Sequence, residues 1–175
     1  MREIFKQMKK IAIIYSFNTV KSQNAAKKIV AEFEENQIDM LNAEEITGDS
    51  FKKYDNFILS LPTWFDGELP NYWDEFVPEF EDLALKGKTF ALFGLGDQKG
   101  YPENFGDALG IIAELIENGG GKIIGSTSPK TYTFENSMAL RDEEFVGLLL
   151  DQENQAKLSA KRIKDWVAEI KKIFP

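Results

Sequence analysis

The chain predicts a doubly wound α/β domain: a five-stranded parallel sheet with helices on both faces, its last strand split by an insertion. Three observations carry this. Short, unbroken apolar runs recur along the chain, each followed by a segment with apolar residues at helical spacing, which is the pattern of βαβ units. Within the runs no polar residue alternates, as expected of strands covered on both faces. The length of 175 residues, with 29% charged and 43% hydrophobic, suits one domain of ordinary size. That domain is expected to span residues 1–175, with an N-terminal extension over 1–9.

Ile11-Ala12-Ile13-Ile14-Tyr15 is the first buried run. Ala26, Ile29, Val30 and Phe33 then form a helical stripe to pack on the sheet. A short strand follows over Ile38 to Leu41, and Phe57-Ile58-Leu59-Ser60-Leu61 is the next run, ended by Pro62. After a helical region around Tyr72 to Leu85, the run from Lys88 to Phe93 closes on Gly94-Leu95-Gly96-Asp97. The next helix places Ala108, Ile111, Ile112 and Leu115 on one face, and Gly119-Gly120-Gly121 stops it. Lys122 to Gly125 opens the fifth strand. The stretch from Ser126 to Glu144 turns polar, and Phe145 to Leu150 resumes the strand, so residues 126–144 read as the insertion. The last helix carries Ile163, Trp166, Val167 and Ile170 at i, i+3, i+4, i+7. The pattern as a whole is that of five strands with helices between and after them.

Composition narrows the chemistry. The chain has no cysteine and no histidine, which removes disulfides, thiolate sites and the usual Ser-His and Cys-His catalytic pairs. A net charge of −8 and a pI near 4.7 set the chain against nucleic acid, whose phosphates it would repel. Basic protein partners suit it better, through electrostatic steering. No apolar run approaches the roughly 18–20 residues of a membrane span, and Met1 to Lys10 lacks a signal-type apolar segment. A monomeric cytoplasmic protein without membrane attachment is the expectation.

In open sheets of this kind ligands sit beyond the carboxyl ends of the strands, near a topological switch point. Three loops meet that condition. The first, Ser16-Phe17-Asn18-Thr19-Val20-Lys21-Ser22, leads into a helix N-terminus, where amides and the hydroxyl and amide side chains of Asn18, Thr19 and Ser22 form an anion site; an ordinary capped turn is the plainer alternative. The second, Leu61 to Pro70, sets Trp64 and Phe65 at a turn, although a buried indole often only fills core. The third, Gly94 to Asn104, is glycine-rich and carries Tyr101. A flat heterocycle between Trp64 and Tyr101, with its phosphate on the first loop, accounts for all three.

These loops resemble those of the flavodoxin family, and the likeness runs from the first strand to the last helix. Phe93-Gly94-Leu95-Gly96-Asp97-Gln98-Lys99-Gly100-Tyr101-Pro102-Glu103-Asn104-Phe105 is similar to the family's FMN loop, and Pro62-Thr63-Trp64 with Gly67-Glu68-Leu69 to its other flavin loop. Phe145-Val146-Gly147-Leu148 and Asp151 to Gln155 are similar to the segment after the inserted hairpin that defines the long-chain class. The resemblance implies strand order 2-1-3-4-5 and non-covalent FMN. Trp64 and Tyr101 would stack on the ring, and Thr63 would reach the phosphate or ribityl chain. Backbone near Leu95, Gly96 and Asp97 would bind the pyrimidine edge with support from Asn104 and Phe105. A carbonyl in the Phe65-Asp66-Gly67 turn, that of Phe65, would meet the flavin N5 hydrogen.

The implied function is that of a low-potential one-electron carrier, cycling between semiquinone and hydroquinone. It would take electrons from a ferredoxin- or flavodoxin-NADP reductase and pass them to low-potential acceptor proteins. Asp66, Glu68 and Asp97 would disfavour the anionic reduced ring, although each also reads as a solvated surface charge. Phe17 and Val20 depart from the family's usual Ser or Thr and Gly, and Leu95 and Phe65 from Thr and Asn, so FMN affinity below the family norm is expected. Two other readings stay open: an FMN-dependent NAD(P)H oxidoreductase on the same fold, and a flavodoxin-like module that has lost FMN.

Overall fold

In the computed structural model, which describes residues 8–175, the chain alternates strands and helices almost without interruption. The expected extension over 1–9 falls, for residues 1–7, outside the described residues. The order is β1 (Ile11–Tyr15), α1 (Val20–Val30), β2 (Ile38–Asn42), α2 (Gly48–Lys52), β3 (Asn56–Ser60), α3 (Asn71–Glu81), β4 (Thr89–Leu95) and α4 (Asp107–Asn118). Then come β5 (Lys122–Ile124), β6 (Leu140–Arg141), β7 (Glu144–Phe145), β8 (Leu148–Leu150) and α5 (Ala156–Ile173). The main sheet runs β2-β1-β3-β4-β5, with β8 also on β4, and its pairings are parallel.

Side-chain alternation explains the unbroken apolar runs. Along β1, Ile11, Ile13 and Tyr15 join one core with α1 and α5, while Ala12 and Ile14 join the other with α3 and α4. Every residue of β1 and β3 is buried, so neither strand has a solvent face to mark with polar residues. Each fully buried large aliphatic or aromatic side chain stabilises the fold by about 1.5–3 kcal/mol relative to exposure. The two deepest indoles are also satisfied: Trp73 donates to the Ser60 carbonyl at 2.9 Å and Trp166 to that of Gly125 at 2.8 Å.

The split fifth strand is visible in the register. β5 pairs with the first half of β4, Ile124 opposite Ala91, and β8 with the second half, Leu148 opposite Phe93. Between them the insertion folds its own hairpin from β6 and β7. The strand resumes later than expected, because Phe145 belongs to that hairpin and bridges Thr127. Gly147 passes so close to the Leu92 carbonyl that a Cβ would overlap it.

Three helix readings need correction. α1 ends at Val30, so Phe33 packs from beyond the helix. α3 stops at Glu81 rather than Leu85, which is buried all the same. The inward face of α4 is Ala108, Leu109, Ile112, Ala113 and Ile116, with Ile111 and Leu115 only half-buried. The insertion covers α4 from outside, its Met138 backbone lying where a Gly110 side chain would be. Burial on two sides therefore shifts the stripe. The helix ends in a Schellman turn, Gly121 N–H to Ile116 C=O at 2.9 Å and Gly120 N–H to Glu117 C=O at 3.0 Å, with Gly120 at φ 88°. Among the described residues no helix is long and apolar enough to cross a membrane.

Candidate functional site

From β1 the chain winds to one edge of the sheet, and from β3 to the other. The loops after these strands therefore diverge at the switch point and leave a crevice. A cleft of ≈ 440 Å³ opens there. Thr19, Val20, Lys21 and Ser22 line it from the first loop; Pro62, Thr63 and Trp64 from the second; Leu95, Gly96, Asp97 and Tyr101 from the third. Gln152 and Glu153, which follow β8 and which the sequence did not single out, complete it.

The first loop ends at Thr19, which has extended backbone (φ −106°, ψ 115°) and makes no side-chain cap to α1. The first turn of α1 carries no acidic residue, so its leading amides and the helix dipole are free to meet an anion. The Thr19 hydroxyl donates to the Ser16 carbonyl at 3.4 Å. Val20 is the first helical residue, outside the left-handed region, and 71% exposed, so this position does not call for glycine's torsions. Ser16, Phe17 and Asn18 do not line the cleft. The Ser16 hydroxyl donates to Glu44 Oε1 at 2.5 Å and the Asn18 amide to Glu44 Oε2 at 2.8 Å, so these two donors face the turn after β2. Phe17 leans on Tyr15, centroids 4.9 Å apart, and Lys21 pairs with Glu153.

The second loop is a tight turn closed by paired backbone bonds between Trp64 and Glu68, at 2.9 and 2.7 Å. Phe65 has φ 46° and Gly67 φ 94°. Left-handed backbone costs a bulky residue roughly 1–2 kcal/mol, yet Phe65 keeps it while 67% exposed. Glycine is required at 67, since a Cβ would sit 2.6 Å from Asp107 Oδ2. Trp64 meets Tyr72 edge-on at 5.9 Å. The Thr63 hydroxyl oxygen already accepts the Ala108 N–H at 3.1 Å, at the start of α4, and keeps its own proton for a ligand. Phe65, Asp66 and Gly67 stand at the rim and do not line the cleft itself.

The third loop is built from beneath. Asp97 Oδ1 accepts the amides of Lys99 at 3.1 Å and Gly100 at 2.8 Å and the Asn154 side chain at 2.8 Å. The Gly100 amide, above all, holds the Asp97 carboxyl below its ordinary value, against a smaller upward push from burial. Gln98 is buried and donates its side-chain amide to Asp151 Oδ2 at 2.6 Å, while its Oε1 accepts the Thr133 N–H of the insertion at 2.6 Å. Asp151 is fully buried; it also accepts the Gln98 backbone N–H at 3.1 Å, the Asn154 backbone N–H at 3.0 Å and the Asn154 side-chain amide at 2.9 and 3.1 Å. Two expected ring-edge residues lie elsewhere. Phe105 is buried against Tyr132, Phe134 and Phe145, and Asn104 donates to Asp107 at 3.2 Å. Both support the loop from behind, since a side chain at Gly96 would strike the Phe105 ring.

The sequence missed Glu44, Gln98 and Asp151 as parts of this site. Gln98 and Asp151 lie in segments that resemble the family's, but Glu44 carries no signal.

An anion-accepting helix start at one end and two aromatic rings at the other define a cleft for a phosphorylated flat cofactor, and ≈ 440 Å³ lies within the usual size of such sites. The residues present fit FMN, since α1 offers uncapped amides to the phosphate and Trp64 and Tyr101 offer apolar faces to the ring. A flavodoxin of Nostoc sp. is 40% identical over 166 residues, 95% of this chain and 98% of that protein. A flavodoxin of Synechocystis sp. is 39% identical over 168 residues, covering 95% and 99%. The crystal structure of Fusobacterium nucleatum flavodoxin bound to flavin mononucleotide superposes with a TM-score of 0.91 at 32% identity, covering 96% of this chain and 100% of that one. The family model described as flavodoxin matches residues 13–166. The chain belongs to the flavodoxin family.

Proposed function

We propose that the protein is an electron carrier that binds FMN non-covalently and exchanges single electrons with redox partner proteins. The observation that carries the reading is one cleft joining an uncapped helix start, with Thr19, Lys21 and Ser22, to the rings of Trp64 and Tyr101. Bound FMN supplies the one-electron chemistry. The chain holds, shields and tunes it. Trp64 and Tyr101 enclose the ring and exclude water, while the leading amides of α1 with Thr19 and Ser22 hold the phosphate. Backbone at Leu95 to Asp97 would hold the pyrimidine edge of the ring, and the Phe65 carbonyl at the rim would offer the ring a hydrogen-bond acceptor. Asp66, Glu68 and Asp97 place negative charge nearby, which disfavours a further electron and lowers the potential.

A ferredoxin- or flavodoxin-NADP reductase as donor and low-potential proteins as acceptors suit a monomeric cytoplasmic carrier of net charge −8. One domain over residues 1–175, with its insertion at about 126–144, suffices for this role. The deciding experiment is the absorption spectrum of the purified protein, followed by release and identification of its pigment. FMN is expected; a colourless protein that fails to take up added FMN sinks the reading. With a basic reductase, stopped-flow transfer should slow as ionic strength rises.

A further inference from the structure

We infer that Glu44 sets how strongly the site distinguishes FMN from the phosphate-free flavin, by engaging the first half of the phosphate loop with its own carboxylate. The inference rests on the FMN reading of the cleft. Both Glu44 oxygens are committed to the loop, Oε1 to the Ser16 hydroxyl at 2.5 Å and Oε2 to the Asn18 amide at 2.8 Å. Asn42 locks the arrangement from both sides, its Oδ1 accepting the N–H of Phe17 at 3.3 Å and that of Glu44 at 3.2 Å. Ser16 is fully buried and a hydroxyl has a single proton to donate, so that donor is spent.

Among the described residues no cation pairs with the carboxylate, and Lys21, the basic residue of the loop, is paired with Glu153. The charge of Glu44 is also felt behind the cleft wall. Tyr72, whose buried hydroxyl has no partner, stands edge-on to Trp64, and its pKa is raised first by burial and then by the Glu44 charge. A phosphate at the start of α1 therefore meets a like charge close by, and it gains Ser16 or Asn18 only by breaking bonds to a charged acceptor. Riboflavin, uncharged at that end, feels neither effect.

The test is to titrate the full chain, freed of flavin, with FMN and with riboflavin at low and high salt. The wild type is compared with Glu44→Gln and Glu44→Asp; Glu44 is exposed, so both variants should fold. Glu44→Gln should raise the FMN-to-riboflavin affinity ratio roughly threefold or more at low salt and less at high salt, on the scale of exposed charge pairs. Riboflavin affinity should stay put and Glu44→Asp should keep the wild-type ratio. An unchanged or lower ratio in Glu44→Gln, with riboflavin still bound, overturns the inference, as does an equal rise in Glu44→Asp. If the wild type binds neither flavin, the cleft reading itself fails.

Discussion

The two ends of the cleft are held by different physics. The loop from Asp97 to Tyr101 rests on buried polar groups: Asp151 and Gln98 lie beneath it at 0% and 4% exposure, and their bonds run to the backbone of the loop and of the insertion. The loop from Ser16 to Ser22 is tethered from outside by Asn42 and Glu44 and leaves Phe17 and Val20 open to water. Buried polar networks hold one geometry because any other leaves a group unpaired, whereas exposed charges are screened and adjustable. Ring recognition should therefore depend on shape, and phosphate recognition on charge and salt.

The sharpest way to break this contrast is at the ring. Trp64→Ala should cost about 2 kcal/mol in affinity for FMN and riboflavin alike, the scale of losing a large buried aromatic face. A loss confined to FMN would place Trp64 at the phosphate end instead. Asp151→Asn comes next. An amide nitrogen there faces N–H donors, so about 1–3 kcal/mol of fold stability should go, in denaturant titration, with an equal weakening of both flavins. Phe17→Thr adds a hydroxyl beside the cleft rather than in its lining and should tighten FMN by no more than about 1 kcal/mol while leaving riboflavin unchanged. Val20→Gly should do less, because no left-handed backbone is relieved.

The smallest expected effect is with pH. The Asp97 carboxyl is depressed in the folded protein, so its contribution is fully present above the unfolded value and is lost as pH falls through the folded one. Stability should thus decline below the ordinary aspartate value of 3.8, and Asp97→Asn should flatten that decline in acid denaturation. An identical acid limb in the variant would free Asp97 from any part in holding its loop.

How much of this was legible follows from what each signal depends on. Strands β1, β3 and β4 announce themselves because both faces are covered, and α5 because one side is wet. The α4 stripe misled because a second layer, the insertion, lies over that helix. Trp64, Tyr101 and the glycines beside them could be placed from their positions after strands. Glu44 could not, since its role depends on a turn after β2 meeting a loop after β1, and neither local pattern nor charge marks the encounter. For the same reason the type of Asn18 suggests a phosphate donor, while the fold adds what the sequence does not show, a bond from its amide to Glu44. Phe105 sits inside a well-matched loop, yet packing among Tyr132, Phe134 and Phe145 directs it inward.

The divided fifth strand has a consequence for how such a chain tolerates gain and loss of sequence. With Ile124 opposite Ala91 and Leu148 opposite Phe93, only Leu92 on β4 separates the two pairings; Gly147 packs on its carbonyl, and Gly125 would take that place in a shortened chain. Leu148 stands where Ser126 would stand in an unbroken strand, and Ile124 and Leu148 belong to the same core. Cutting out Ser126 through Gly147 would therefore rejoin the strand in step, with inward and outward residues unchanged. The interruption is a seam along which a module can be spliced in or out while the sheet keeps its register. Such a shortened chain would lose Thr133, and with it the insertion's bond to Gln98.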